Sequence, residues 1–163
     1  MKKFLFLSLL LILIFTFNGC FMTPTQLDIV DTAIENGNFT TLVTALTEAD
    51  LVETLRGTGP FTVFAPDDDA FAKVDVTTLT NLIADVPNLT KVLLFHVVSG
   101  KLMAADVVAE TELTSVESSP LAIVVAGSTV TVDVATITAT DIECSNGVIH
   151  VIDTVMIPPT VEL

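Results

Sequence analysis

The chain has 163 residues, 51% of them hydrophobic, and its 20 acidic residues against 6 basic ones give a formal net charge of −14 at pH 7. Such a surface repels nucleic-acid phosphates and anionic lipid head groups, so we expect no nucleic-acid partner. Tryptophan and tyrosine, which dominate tight protein interfaces, are both absent, so we expect any interface to be weak or to use phenylalanine and aliphatic side chains.

The first nineteen residues have the pattern of an export signal. Two lysines precede an almost wholly apolar run over residues 4–17, which as a helix would be about 21 Å long at roughly 1.5 Å per residue. Because the hydrocarbon core of a bilayer needs about 30 Å, we predict a signal peptide over residues 1–19. A short membrane anchor that is never cleaved is the alternative. Gly19-Cys20 resembles a bacterial lipobox, which predicts lipidation of Cys20.

The mature chain would then have a short tether at residues 20–25 and one domain over residues 26–160. Removing residues 1–19 leaves four basic residues against all twenty acidic ones, a formal net charge of −16. Membrane attachment would therefore depend on the acyl chains of a lipid anchor on Cys20. With Cys20 acylated, Cys144 has no intrachain partner, so the fold must depend on its hydrophobic core alone.

Residues 26–55 have helical spacing of apolar residues. Leu27, Val30 and Ile34 predict the buried face of a first helix, and a second helix follows a break at Asn36-Gly37-Asn38. Asp50 is predicted to cap a short third helix.

The next apolar segment, residues 61–65, is predicted to be a strand that Pro66 ends. Asp67 then has the place of a helix N-cap, with Asp68 and Asp69 in the first turn, where the helix dipole favours negative charge. A calcium site is the alternative for these three carboxylates, but calcium loops alternate their ligands and contain a turning glycine. Two more helices are predicted on either side of Pro87, the second with Val97 in its apolar set.

The last third of the sequence has the composition of strands. Four are predicted, over residues 121–126, 129–134, 136–143 and 147–157. Helices first and strands last predict an α+β domain around one core. A two-residue turn at Asn146-Gly147 would place Glu143 opposite His150.

Three segments in order resemble the signature segments of the fasciclin domain family: residues 59–71 (GPFTVFAPDDDAF), 93–100 (LLFHVVSG) and 146–158 (NGVIHVIDTVMIP). The resemblance implies a wedge-shaped β-sandwich with N-terminal and intervening helices packed on it. It also implies an extracellular or cell-surface adhesion module without catalytic activity or cofactor. The residues that carry it, with structural or binding roles, are Phe64, Ala65, Pro66, Asp67, Phe71, Phe95, His96, Asn146, Gly147, His150 and Asp153.

The resemblance and the signal together predict a cell-envelope lipoprotein that binds a protein or polysaccharide of the cell surface or matrix. Phe95 stands where many members of the family have tyrosine, so the binding of integrins known for animal members is not expected here. The alternatives are a carrier of a small apolar ligand held between the helices and the sandwich and, ranked last, a hydrolase.

A zinc site or a thiol nucleophile would use the histidines. We expect His150 to be structural, bonded to nearby backbone or to Glu143, and His96 to be a core residue with its hydrogen bonds satisfied. The turn places Cys144 opposite Ile149, on the face away from His150, which argues against a thiol nucleophile. Two histidines and one cysteine on three elements are too few for a zinc site.

Overall fold

The structure, a computed structural model, describes residues 26–161. The predicted signal peptide, the lipidated Cys20 and the tether lie outside the described residues. The helices are α1 Ile29–Asn36, α2 Thr40–Glu48, α3 Val52–Leu55, α4 Asp68–Ala72, α5 Val76–Ala84, α6 Val86–Phe95 and α7 Ala104–Val107. The strands are β1 Phe61–Pro66, β2 Val97–Ser99, β3 Glu112–Thr114, β4 Pro120–Ala126, β5 Thr129–Val132, β6 Ala135–Cys144 and β7 Gly147–Ile152. Among the described residues, no helix is both long enough and apolar enough to cross a bilayer.

The strands form one mixed sheet in the order β2-β1-β7-β6-β5-β4-β3. Only β1 and β7 are parallel among the described pairs. The sheet bends until its two ends meet, where Val98 bridges Ser115 and the Val116 amide donates to the Val97 carbonyl at 2.7 Å. The predicted α+β class, with helices packed on the strands, is confirmed, and one bent sheet forms its β layer.

Two apolar cores lie on the two faces of this bent sheet. The helix-side core joins α1, α2, α4, α5 and α6 to the outward residues of β1 and β7, such as Val63 and Ile149. The inner core fills the space enclosed by the sheet and includes Phe64 and Ile152. The strand over residues 61–65 and the C-terminal hairpin therefore lie together, as predicted, but they contribute to two cores and not to the single core that was expected.

The helical predictions for residues 26–55 are correct in type and partly wrong in detail. The buried face of α1 is Ile29, Val30 and Ala33, whereas Leu27 and Ile34 are 37% and 53% exposed, because this short helix packs at once on α2, α3 and β7. The predicted break is confirmed, since Gly37 ends α1 in the left-handed conformation.

The cap predicted at Asp50 is wrong. Asp50 has a φ of 55°, and its amide donates to the Thr47 carbonyl while the Leu51 amide donates to the Leu46 carbonyl. This pair of bonds is the Schellman motif that closes the C-terminus of a helix. Asp50 therefore ends α2, and α3 begins without a side-chain cap.

Three boundaries differ in the second half. Val97 belongs to β2 and not to α6, because His96 is the C-cap of that helix. β5 ends at Val132, and β7 ends at Ile152 and not at residue 157. The helices on either side of Pro87 are confirmed as α5 and α6, with Pro87 in the first turn of α6.

The predicted register of the last hairpin is also wrong. Cys144 pairs with Gly147 and Glu143 with Val148, so the turn is Ser145-Asn146 and Glu143 does not face His150. The turn lies one residue earlier in the chain than the predicted Asn146-Gly147 turn. The reason is that Asn146 and Gly147 make other contacts: Asn146 bonds to the helices, and Gly147 pairs with β1.

Candidate functional site

The first and third signature segments meet as the parallel pair β1–β7. Phe61 lies beside Gly147 and Phe64 beside His150. A Cβ atom at Gly147 would overlap the Phe61 carbonyl oxygen, and one at Gly59 would overlap the Asn146 carbonyl oxygen. Glycine at both positions is therefore what lets the two chains approach closely enough to pair.

Asn146 holds this junction to the N-terminal helices. Its Oδ1 accepts from the Ile29 amide at 3.0 Å, and its Nδ2 donates to the carbonyls of Leu55 and Gly57 at 2.6 and 3.1 Å. The side chain thus satisfies a free amide at the start of α1 and a free carbonyl at the end of α3, which helices leave unpaired at their ends. Asn146 acts inside the fold and not on its surface.

His96, in the second segment, is 2% exposed. Its Nδ1 lies 2.7 Å from the Val92 carbonyl, and its Nε2 accepts from the Met156 amide at 3.0 Å, so these partners place the proton on Nδ1. Burial lowers the pKa of His96 to about 4, against the opposing effect of the Val92 carbonyl. The expectation of a satisfied core histidine is confirmed.

His150 is fully buried, with its Nε2 2.9 Å from the Leu102 carbonyl and its Nδ1 accepting from the Asp141 amide at 3.3 Å. Its ring stacks on Phe64 with centroids 5.7 Å apart. The predicted structural role is confirmed, and the predicted alternative partner is wrong: Glu143 bonds to Lys101 at 2.6 Å.

Asp67 and Asp68 cap two different helices. Asp67 caps α4 as predicted, accepting from the Ala70 amide at 2.7 Å. Asp68 reaches across to α2, where its carboxylate accepts from the amides of Thr40 and Thr41 at 3.3 and 2.9 Å and from the Thr40 hydroxyl at 2.7 Å. Burial acts to raise the pKa of Asp68, but these hydrogen bonds outweigh it and hold the pKa below its usual value.

Asp68→Ala is expected to lower the free energy of unfolding by about 1–2 kcal/mol, the usual effect of removing an N-cap, because α2 has no cap of its own. Asp69→Ala, an exposed carboxylate in the same turn, is the matched control and should change it by less than about 0.5 kcal/mol. Urea unfolding at pH 7 measures both. Equal effects of the two substitutions would contradict the capping role.

Asp153 closes the other end of β7. Its Oδ1 accepts from the Thr136 amide and the Thr154 hydroxyl, both at 2.9 Å, and its Oδ2 lies 3.4 Å from Lys73 Nζ. The hydrogen bond from the Thr136 amide has the largest effect on the pKa of Asp153 and lowers it. Thr154 and Lys73 lower it further, and partial burial opposes them. Asp153 therefore ties β7 to β6 and to the end of α4.

The remaining side chains that were predicted as site residues are apolar and buried. Ala65 and Phe71 belong to the helix-side core and Phe95 to the inner core, each at most 7% exposed, and Pro66 is buried at the end of β1. Sequence reasoning missed Thr62, which is fully buried, donates to the Gly100 carbonyl at 2.7 Å and accepts from the Leu102 amide at 2.9 Å. A hydroxyl in the middle of an apolar strand is the signal that could have identified it.

Cys144 lies apart from both histidines in the fold. Its side chain belongs to the helix-side core, and its Sγ contacts the Thr32 hydroxyl at 3.4 Å, whereas His150 stacks on Phe64 of the inner core. Burial raises the pKa of the Cys144 thiol. The predicted separation of Cys144 from His150 on opposite faces is confirmed, although the register behind it was wrong.

Two small cavities open on the helical side. One of about 220 Å³ lies between α1 and α2 and is almost wholly apolar, with Ile34, Phe39 and Val43 in its wall. The other, of about 190 Å³, is lined by Asn38, Asp67, Asp68 and Asp69. Over residues 26–161 no group of three or more histidine, cysteine or carboxylate side chains is arranged to hold a metal ion.

The charges of the surface are strongly unbalanced. Of the four basic residues in residues 26–161, three form ion pairs: Arg56 with Asp28 and Asp31, Lys73 with Asp153, and Lys101 with Glu143. Most of the carboxylates therefore face solvent without a cation beside them. A partner that binds over a broad area must tolerate or neutralise this negative charge.

Comparison with known proteins agrees with the resemblance in the sequence. The sequence model of the Fasciclin domain family matches residues 37–158. An uncharacterized protein of Synechocystis is 47% identical over 80% of this chain and 97% of its own length. A cell surface glycolipoprotein of Mycobacterium bovis is 30% identical over 78% of this chain and 59% of its own length. The solved structure of a FAS1 domain pair from the insect cell adhesion molecule Fasciclin I superposes with a TM-score of 0.63 at 20% identity, covering 77% of this chain and 47% of that one.

Proposed function

This chain belongs to the fasciclin domain family, and from that membership we propose that it is an exported, surface-anchored binding module of the adhesion type that carries out no catalysis. Its partner is a protein or polysaccharide of the cell surface or the surrounding matrix. A lipid anchor on Cys20 attaches the protein to the membrane.

One observation carries the proposal: four of the polar side chains predicted as site residues, Asn146, His96, His150 and Asp67, are engaged in contacts with the backbone of the fold. Asn146 bonds to the ends of two helices, both ring nitrogens of His96 and His150 have backbone partners, and Asp67 caps α4. An enzyme needs such groups to be free and convergent in a cleft. Their engagement supports a protein that acts through its outer surface.

The anchoring part of the proposal rests on the first twenty residues. The apolar run and Gly19-Cys20 favour export as a lipoprotein, and the M. bovis relative is itself named a cell surface glycolipoprotein. Many anchored copies side by side raise the effective concentration of a weak binding site. A surface without tyrosine or tryptophan suits binding of this multivalent kind.

Cys20→Ala is expected to abolish lipidation, so the full-length chain should leave the membrane fraction or accumulate with its leader uncleaved. Cell fractionation with mass spectrometry of the processed N-terminus measures both. Cys144→Ala removes the other cysteine and should fractionate as the wild type does. Normal processing of the Cys20→Ala chain, still bound to membranes, would refute the anchor.

Binding is tested with cells that lack the protein and cells that produce it. Producing cells should attach more strongly to a layer of their own isolated envelope and secreted polysaccharide, and cells with Cys20→Ala should attach like cells without the protein. Equal attachment of all three would contradict the proposed function.

The second candidate is a carrier of a small apolar ligand, for which the apolar cavity between α1 and α2 is the available space. Its volume of about 220 Å³ is below the usual lower limit of roughly 300 Å³ for ligand sites, and it lies between two helices and not between helices and sheet. Visible absorbance of the purified protein would support a carrier, because the polypeptide itself absorbs no visible light.

A further inference from the structure

The hairpin of β4 and β5 extends beyond the strands beside it. On one side, β3 pairs with β4 only as far as Ala122, and the last bond there is the Ile123 amide to the Thr111 carbonyl at 3.0 Å. On the other side, β6 pairs with β5 only at Thr131 and Val132. Within residues 26–161 no strand pairs with the β3-facing edge of β4 at residues 124–126, which we call the free edge.

The backbone of Val125 points out from the free edge. In an antiparallel strand the amide and carbonyl of one residue point to the same side, and successive residues alternate. Because the Ile123 amide points toward β3, the amide and carbonyl of Val125 point to that side as well. They therefore offer one donor and one acceptor to an added strand.

The side chains around the free edge favour strand pairing. Val124 and Val125 are 54% and 49% exposed, and β-branched residues fit a pleated sheet. Natural proteins normally protect an exposed edge with charge, proline or a covering loop. The hairpin has no such protection at residues 124–126.

The charge of the chain favours a second copy of the same chain as the partner of the free edge. Residues 118–132 contain no charged side chain and form the longest uncharged stretch of residues 26–161, in a chain with a formal net charge of −14. Two copies repel each other over most of their surfaces, and this hairpin is where the repulsion is weakest. A second copy brings the same uncharged edge with the same free backbone groups.

We propose that the free edge pairs with the free edge of a second copy of this chain, antiparallel and around a two-fold axis at Val125. In that register Val125 of each copy exchanges its amide and carbonyl with Val125 of the other, and Val124 lies beside Ala126. A symmetric contact of this kind is self-complementary. The inference goes beyond the proposed function and does not depend on the anchor.

The contact is small and therefore weak. A few residues per copy bury much less than the roughly 800 Å² per partner of a stable interface. Added salt should strengthen it, since raising the ionic strength from about 0.1 to about 1 M shortens the screening length from about 10 to about 3 Å. A contact held by surface ion pairs would instead be weakened by added salt.

The test uses two differently tagged full-length chains produced together, extracted in detergent and captured through one tag. Val125→Glu in both copies should lower the captured partner at least tenfold. Val125→Thr, which keeps a β-branched shape, should retain capture. Val76→Glu makes the same charge change at a valine that is 78% exposed on α5 and should match the wild type. Wild-type capture should rise with salt.

Oxidation provides a second measurement that does not depend on affinity. Val125→Cys should form an intermolecular disulfide. Ser128 lies in the turn beyond the end of β4 and away from the two-fold axis, so two copies of Ser128→Cys should not. Unchanged thermal unfolding of each variant shows that the fold is intact. Equal capture by Val125→Glu and Val76→Glu, or no wild-type capture at any salt, would overturn the proposal, and equal cross-linking at positions 125 and 128 would overturn the register.

Discussion

Asn146→Ala will lower the free energy of unfolding by roughly 3–5 kcal/mol. The substitution leaves three backbone groups without a partner, the Ile29 amide and the carbonyls of Leu55 and Gly57. Each such group costs about 1–3 kcal/mol when buried, and these three are only partly buried, so the lower half of that range applies. Because small domains have only about 5–15 kcal/mol of stability, the variant should be close to unfolding at 37 °C. Urea unfolding of the purified protein at pH 7 measures the loss.

A control variant and a second substitution at Asn146 test the explanation. Asn81→Ala removes an asparagine from the exposed side of α5 and should change the stability by less than about 0.5 kcal/mol. Asn146→Asp keeps an acceptor for Ile29 but turns the donor into a second acceptor facing two carbonyls, so it should be at least as damaging as alanine. A loss below about 1 kcal/mol for Asn146→Ala would mean that Asn146 does not hold the helices to the hairpin.

Stability should fall as the pH is lowered from about 6.5 to about 4. Burial lowers the folded-state pKa of His96 from 6.5 to about 4, so over this interval the unfolded chain binds a proton that the folded chain does not. The contribution of His96 is therefore fully present above pH 6.5 and is lost as the pH falls, by about 3 kcal/mol when the folded-state pKa is reached. Protonation at Nε2 would also remove the acceptor for the Met156 amide.

The effect of His96 on stability can be told from that of the carboxylates by the pH range in which it appears. Asp68 and Asp153 have lowered pKa values, so they also lose stabilisation in acid, but only below about pH 4. NMR titration of the His96 ring in the folded protein gives the direct measurement. Titration near 6.5 would show that the ring is open to solvent and that its bond to Met156 is absent.

The sequence predicted the fold class because its strongest local signals agree with the tertiary structure. Gly37 ends a helix and Asp67 begins one, both through bonds within a few residues. The three signature segments identified the family from the order and spacing of their residues alone. These predictions needed no knowledge of which distant residues meet.

The errors occur where a distant contact decides the local structure. An Asn-Gly pair normally forms the turn itself, but here α1 and α3 bind the Asn146 side chain and β1 pairs with Gly147, which moves the hairpin register by one residue. Asp68 was expected only to favour the dipole of its own helix, yet it caps α2, 28 residues earlier in the chain. Helical spacing could not show that α1 would bury only part of its apolar stripe.

The central claim is that the paired strands β1 and β7 lie between the two apolar cores, so that the signature residues build the fold and the outer surface is left to bind a partner. Native-state amide hydrogen exchange tests it most directly. The amide of Phe64, bonded to the His96 carbonyl at 2.9 Å, and the amides of Val148 to Val151 in β7 should exchange only through global unfolding, with the same free energy as urea denaturation. Fast exchange of β1, or separate opening of β1 and β7, would contradict the claim.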